Sequence, residues 1–190
     1  MRFNVAPVRW GLMLAMFSLL MGVYLGIQFG KNEDEILANW KTQAQASAVF
    51  GGDEKKIDAT VQSGWKYLQR SHEHFQGLGA IALGVCLLVA ALPLQCRAKS
   101  LLSIGVALGG FIYPLFWYLV AYRCAYMDKH AAKESLALMA QGGAGLYFVS
   151  LLGVSAAVLI FAIWRNDPPT IFKRVFKTGE QLENDTCGLK

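Results

Sequence analysis

The sequence predicts an all-α integral membrane protein, with four transmembrane helices in an antiparallel bundle and the first two helices extended outside the membrane as a hairpin. Of the 190 residues, 55% are hydrophobic and only 16% are charged, against roughly 25% charged residues in soluble domains. The charged residues also leave four long stretches free of Asp, Glu, Lys and Arg. No alternating pattern of the kind that builds membrane barrels is visible, and helices are the other structure that satisfies every backbone group in lipid.

Each charge-free stretch is long enough for one span, since about 20 apolar residues cross a hydrocarbon core about 30 Å thick. We expect the spans near 10–29, 76–95, 101–121 and 143–164, so that residues 1–165 form the transmembrane domain. The basic start of the chain looks like a signal sequence. However, the apolar run that follows is too long for a cleaved peptide and has no small-x-small site, which predicts a retained anchor.

The positive flanks of the spans predict their orientation. An even number of spans places three basic segments on one side, which we assign to the cytoplasm: Arg2 with Arg9, Arg97 with Lys99, and the segment from Arg165 to Lys177. Residues 166–190 then form a basic cytoplasmic tail, in which 170–177 suits a segment lying on an anionic inner leaflet. The predicted location is a bacterial inner membrane, crossed several times, with both termini cytoplasmic.

Residues 31–74 are predicted to form the outer helical hairpin. Helix-favouring residues continue the first span to about residue 49, Gly51 and Gly52 break the chain, and Asp53 is a good N-cap for the next helix. Two helices of about 9–49 and 53–93 follow from this. With His72 as the reference, an apolar stripe runs along the second helix: Ile57, Val61, Trp65, Leu68, Phe75, Gly79, Leu83 and Cys86.

Small residues predict the faces through which the spans pack. Gly105 and Gly109 form a G-x-x-x-G pair in the third span, and Gly77 and Gly84 belong to a similar stripe in the second. Residues of this size let two backbones approach closely, which is how helices associate in lipid.

His72 and His74 form an H-x-H pair, but on a helix residues two apart point about 200° apart, so we do not expect one metal to bind both. His72 faces the interior stripe. It either forms a hydrogen bond with a neighbouring helix or with Gln76, or it serves as a ligand for haem or a metal, or as a donor to a quinone.

Two further sets of residues are candidate contacts. His74, with Arg70 and Tyr67, points away from the stripe and is expected to meet lipid headgroups or a partner subunit. His130 is either an exposed loop histidine or, with His72, a second ligand of a copper or haem site.

Several functions are disfavoured. No motif of a hydrolase, zinc protease or P-loop enzyme occurs, so the chain is not expected to be an enzyme. The spans contain no charge, which disfavours an ion-coupled transporter.

The net charge of +5 is spread over loops, so no nucleic-acid partner is expected. The four cysteines (Cys86, Cys96, Cys124 and Cys187) lie far apart without a C-x-x-C motif, so neither a disulfide framework nor a thiolate zinc site is expected.

These observations favour an accessory, non-catalytic subunit of a larger membrane complex, with a redox or metal-handling complex as the first expectation. Its partners would be the lipid bilayer and other membrane subunits. The alternative is a small membrane redox protein that binds haem b or copper through His72. The run Arg70-x-His72-x-His74, followed by glycines, resembles small bacterial four-span proteins, but this resemblance implies no activity.

Overall fold

A computed structural model describes residues 4–164 and 175–176 of the chain. Their helices are α1 (Arg9–Ala46), α2 (Glu54–Ala91), α3 (Cys96–Arg123), α4 (Lys129–Glu134) and α5 (Ala137–Trp164). Four of these are long and apolar enough to cross a membrane, namely α1, α2, α3 and α5. Over the described residues the chain forms no strand, and the predicted all-α class with four spanning-length helices is confirmed.

Helices α1 and α2 are each 38 residues long. At 1.5 Å per residue such a helix measures about 57 Å, nearly twice the thickness of a hydrocarbon core. Helix α1 contains one residue with non-helical angles, Asn32 (φ −127°, ψ 18°), close to the end of its apolar part. Helix α2 ends at Ala91, before the predicted residue 93, because Pro93 forces Leu92 into an extended conformation (ψ 148°).

The two helices are joined by the predicted glycine turn. Gly51 and Gly52 have φ values of 56° and 76°, a conformation that residues with a side chain rarely adopt. The Asp53 side chain then caps α2 by accepting hydrogen bonds from the N–H groups of Lys55 (3.1 Å) and Lys56 (3.2 Å). The sequence therefore identifies this turn residue by residue.

The predicted stripe of α2 is the centre of the core. Its side chains at Ile57, Leu68 and Phe75 are almost fully buried. They pack with Trp40 and Ala44 of α1 and with the end of α3. This burial is expected for one apolar face continuing through a 38-residue helix.

Helix α3 packs against α1, α2 and α5. Its contact with α5 is close, because a Cβ atom added at Gly109 would lie 2.8 Å from the Gly143 carbonyl oxygen. One added at Gly105 would collide with Ser150 Oγ. Both glycines thus allow the backbone of α3 to approach α5, as the G-x-x-x-G spacing predicts.

The turn between α2 and α3 differs from expectation in two ways. Gln95 N donates a hydrogen bond to Val175 O (2.8 Å), and Phe176 is buried among core residues that include Leu94. Phe176 of the predicted tail therefore packs on protein rather than on a lipid surface, whereas the Val175 side chain is exposed. The rest of 166–190 lies outside the described residues. In addition, Cys96 is disulfide-bonded, which corrects the expectation that the cysteines stay unpaired.

Candidate functional site

His72 lies between α2 and α1. Its Nδ1 is 2.7 Å from the carbonyl oxygen of Gly22. A carbonyl only accepts, so Nδ1 carries the proton and, in the neutral ring, Nε2 keeps its lone pair. The ring fits against Gly26, where an added Cβ would lie 3.0 Å from Cε1, and makes an edge contact with Phe29. The hydrogen-bond partner is thus the neighbouring helix; Gln76 packs its Cγ over Gly22 instead.

Two serines make similar contacts between helices. Ser18 Oγ of α1 donates to Phe75 O of α2 (3.1 Å), and Ser71 Oγ of α2 donates to Pro114 O of α3 (2.9 Å). Both hydroxyls are buried. Together with His72 they attach α2 to both neighbours through polar contacts that all lie within residues 71–75 of α2, little more than one helical turn.

His130 lies far from His72. The His130 N–H donates to Asp128 Oδ1 (2.8 Å) at the start of α4, which holds the pKa of the Asp128 carboxyl below its ordinary value. Asp128 lines a shallow cavity with Thr60 of α2. Since Thr60 and His72 are twelve residues apart on one helix, about 18 Å separates the two levels. The two histidines therefore do not share a site, and the described residues contain no group of three metal-binding side chains.

Tyr67, Arg70 and His74 face the aromatic residues of α3. The Tyr67 ring lies 5.3 Å from that of Trp117, and the His74 ring lies 5.2 Å from that of Tyr113. The Arg70 guanidinium carbon is 4.7 Å from the centre of the Trp117 ring. The three predicted contact residues are therefore close to one another, but they pack on this chain's own aromatics.

Lys133 of α4 completes this arrangement. Its Nζ lies 4.8 Å from the centre of the Tyr67 ring and 6.0 Å from that of Trp117. We call Tyr67, Arg70, Trp117 and Lys133 the cation–aromatic cluster. The sequence predicted the Arg70 face of α2 as a contact surface. That prediction did not include Lys133, because no local pattern indicates where the short helix α4 packs.

The four predicted packing glycines fall into two pairs. Gly105 and Gly109 are buried against α5, as described above. At Gly77 and Gly84 an added Cβ would meet no atom within 4 Å, so both lie on an open face of α2. Gly77 borders a groove between α1 and α2 that is also lined by Glu73 and Gln76.

The chain matches no protein-family model, no curated protein and no solved structure. The site therefore has to be interpreted from its own residues. In the described part of the chain, His72, Ser18 and Ser71 connect neighbouring helices, and the cation–aromatic cluster lies where the hairpin leaves the apolar part of α2.

Proposed function

We propose that this chain is an accessory, non-catalytic subunit of a larger membrane complex. One observation carries the proposal: three polar side chains at the helix contacts, His72, Ser18 and Ser71, have backbone carbonyls of neighbouring helices as partners, as does the buried Lys99 with Ala90 O. Such groups hold helices together and are not arranged for a reaction. The long hairpin then offers the surface with which other subunits would interact.

The same proposal includes insertion of the four helices into a membrane as an antiparallel bundle. Helix α5 exposes large apolar side chains over its whole length, for example Leu138 (86% exposed) and Ile163 (66%). A continuous apolar surface of this kind requires lipid or another protein. The buried contacts of α3 with α1, α2 and α5 would then lie inside the bundle.

For orientation, we propose that the termini and the α2–α3 turn face the cytoplasm of a bacterial cell, because the basic residues flank that side. The disulfide at Cys96 bears against this orientation, since disulfides are rare in a reducing cytoplasm. The positive flanks are the stronger support, because they involve several residues. With this orientation the Cys96 disulfide would have to persist on the cytoplasmic side.

The subunit proposal is tested by purifying the tagged chain from native membranes under mild detergent. We expect one or more other membrane proteins to elute with it in constant ratio. A chain with the hairpin tip replaced, for example Lys41→Glu together with Val49→Asp, should fold but recover less of these partners. Elution of the wild-type chain alone, at the size of one chain plus detergent, would contradict the proposal.

A small redox protein that binds haem b or copper is the second candidate. It is favoured by one detail: a histidine whose Nδ1–H donates to a carbonyl is the usual arrangement of a metal-ligating histidine, with Nε2 as the ligand atom. It ranks second because the described residues contain no group of three His, Cys, Asp or Glu side chains that could hold a metal ion. An absorbance spectrum and a metal assay of the purified chain decide the matter, and a chain with neither a Soret band nor stoichiometric copper excludes it.

A further inference from the structure

We propose that the cation–aromatic cluster binds the phosphate group of an anionic phospholipid. The site has two positive side chains, Arg70 of α2 and Lys133 of α4, arranged around the ring of Trp117. The inference rests on the proposed membrane insertion and does not depend on whether the chain is a subunit.

The geometry brings the two charges together. The Arg70 guanidinium carbon lies 4.7 Å, and the Lys133 Nζ 6.0 Å, from the centre of the same indole ring. The two cations are therefore no more than about 11 Å apart, roughly one Debye length at 0.1 M salt. A phosphate bound between them would interact with both charges.

Within the part of the chain that the structure describes, no acidic side chain pairs with them. Among the described residues, neither Arg70 nor Lys133 forms an ion pair, although Glu73 and Glu134 are near them in sequence. The ion pairs that do form lie at the hairpin tip, between Lys41 or Lys56 and nearby acids. Trp117 Nε1 is also buried without an acceptor in the described chain. The two cations are thus the donors that an anionic oxygen would reach, since the indole N–H is buried.

The position of the cluster favours a lipid over a soluble anion. Arg70 is six residues before the predicted start of the second span, which is about 9 Å along the helix axis. Aromatic residues such as Trp117 are enriched at the level of lipid headgroups. Below Arg70, the open face at Gly77 and Gly84 leaves room for acyl chains. A ligand with a negative headgroup and an apolar tail fits both the cation–aromatic cluster and the open face below it. An acidic protein segment would use only the cluster.

The test uses the full chain in neutral detergent and counts bound lipids by native mass spectrometry. Phosphatidylglycerol and phosphatidylcholine are added separately at equal concentration. We expect the wild type to bind phosphatidylglycerol more strongly, with each cation contributing about fivefold. Arg70→Gln with Lys133→Gln should reduce this preference to nearly none. The matched control is Lys66→Gln, an exposed lysine of α2 one turn above Arg70, which should keep the preference.

Further measurements distinguish a lipid site from misfolding of the variant and from a site for free anions. Arg70→Lys with Lys133→Arg keeps both charges and should retain binding, which shows that a loss in the glutamine variant reflects charge and not misfolding. Inorganic phosphate at millimolar concentration should not displace the lipid; displacement would identify a site for free anions and overturn the proposal. Equal binding of the two lipids by the wild type would also overturn it. So would unchanged lipid preference in the glutamine variant, even if that variant lost a co-purifying acidic protein.

Discussion

At the scale of single residues, the Gly22–His72 contact shows how a polar group is accommodated in the apolar part of the helices. The imidazole needs space beside the backbone of α1, and Gly26 provides it because it has no side chain; Gly22 supplies the carbonyl and leaves room for Gln76. The sequence predicted that His72 faces inward. It did not predict the acceptor, since a backbone carbonyl exposed by a glycine is a property of the other helix.

Replacing His72 by Ala should destabilise the chain by about 1–2 kcal/mol, because a hydrogen bond between helices and the packing of one ring are lost. Unfolding of the purified chain in mixed micelles, followed by circular dichroism, measures the change. His130→Ala is the control, since that side chain is exposed. If both variants lose the same stability, the contact with Gly22 has no energetic role.

At the scale of helices, the sequence predicted that small residues mediate the packing of α3. It did not predict which of the glycines are in contact with another helix. All four packing glycines have the same local sequence signal, a small residue in an apolar run. Only tertiary structure places Gly109 against Gly143 and leaves Gly84 open. The cation–aromatic cluster has the same origin, because it depends on how α4 packs on α2 and α3.

Gly109→Ala and Gly84→Ala form a matched pair. The methyl group at position 109 would lie 2.8 Å from a backbone oxygen, so α5 must move away and we expect a loss of about 2 kcal/mol or more. The methyl group at position 84 meets no atom within 4 Å, and alanine favours a helix over glycine by about 0.5–1 kcal/mol. Unfolding midpoints should therefore fall for the first variant and stay equal or rise for the second. The opposite order would contradict the close packing of α3 on α5.

The turn of the hairpin gives a prediction at the same scale. Gly52→Ala places a side chain at a positive φ, which costs about 1–2 kcal/mol. We expect faster cleavage at the tip by a soluble protease, with little change in the midpoint of the apolar part. Ala59→Gly, an exposed position of α2, is a control for a change in local helix stability. Equal protease sensitivity of Gly52→Ala and the wild type would show that the turn tolerates the side chain.

At the scale of the whole molecule, the helical class and the number of long apolar helices followed from the gaps between charged residues. The orientation rests on flanking charges alone, and no contact within the chain tests it. Cysteine labelling tests the orientation directly. Val49→Cys, at an exposed position of the tip, should react with an impermeant maleimide in intact cells whose outer membrane has been permeabilised.

The same labelling experiment includes Cys96. With the proposed orientation, Cys96 should react only in inverted vesicles and, because it is disulfide-bonded, only after reduction. A Cys96 that reacts from the outer side would show that the chain is inserted the other way round. Cys86 and Cys124 should be silent in both preparations, because both are buried.

The difference between the two long helices has a mechanical consequence. Helix α2 is continuous from the tip of the hairpin to Ala91, whereas α1 is interrupted at Asn32. A sideways force applied at the tip would therefore be transmitted along α2 as a stiff lever. Helix α1 would bend at Asn32. The Gly22–His72 contact lies below that bend, so it would hold the lower part of α1 against α2 while the tip moves.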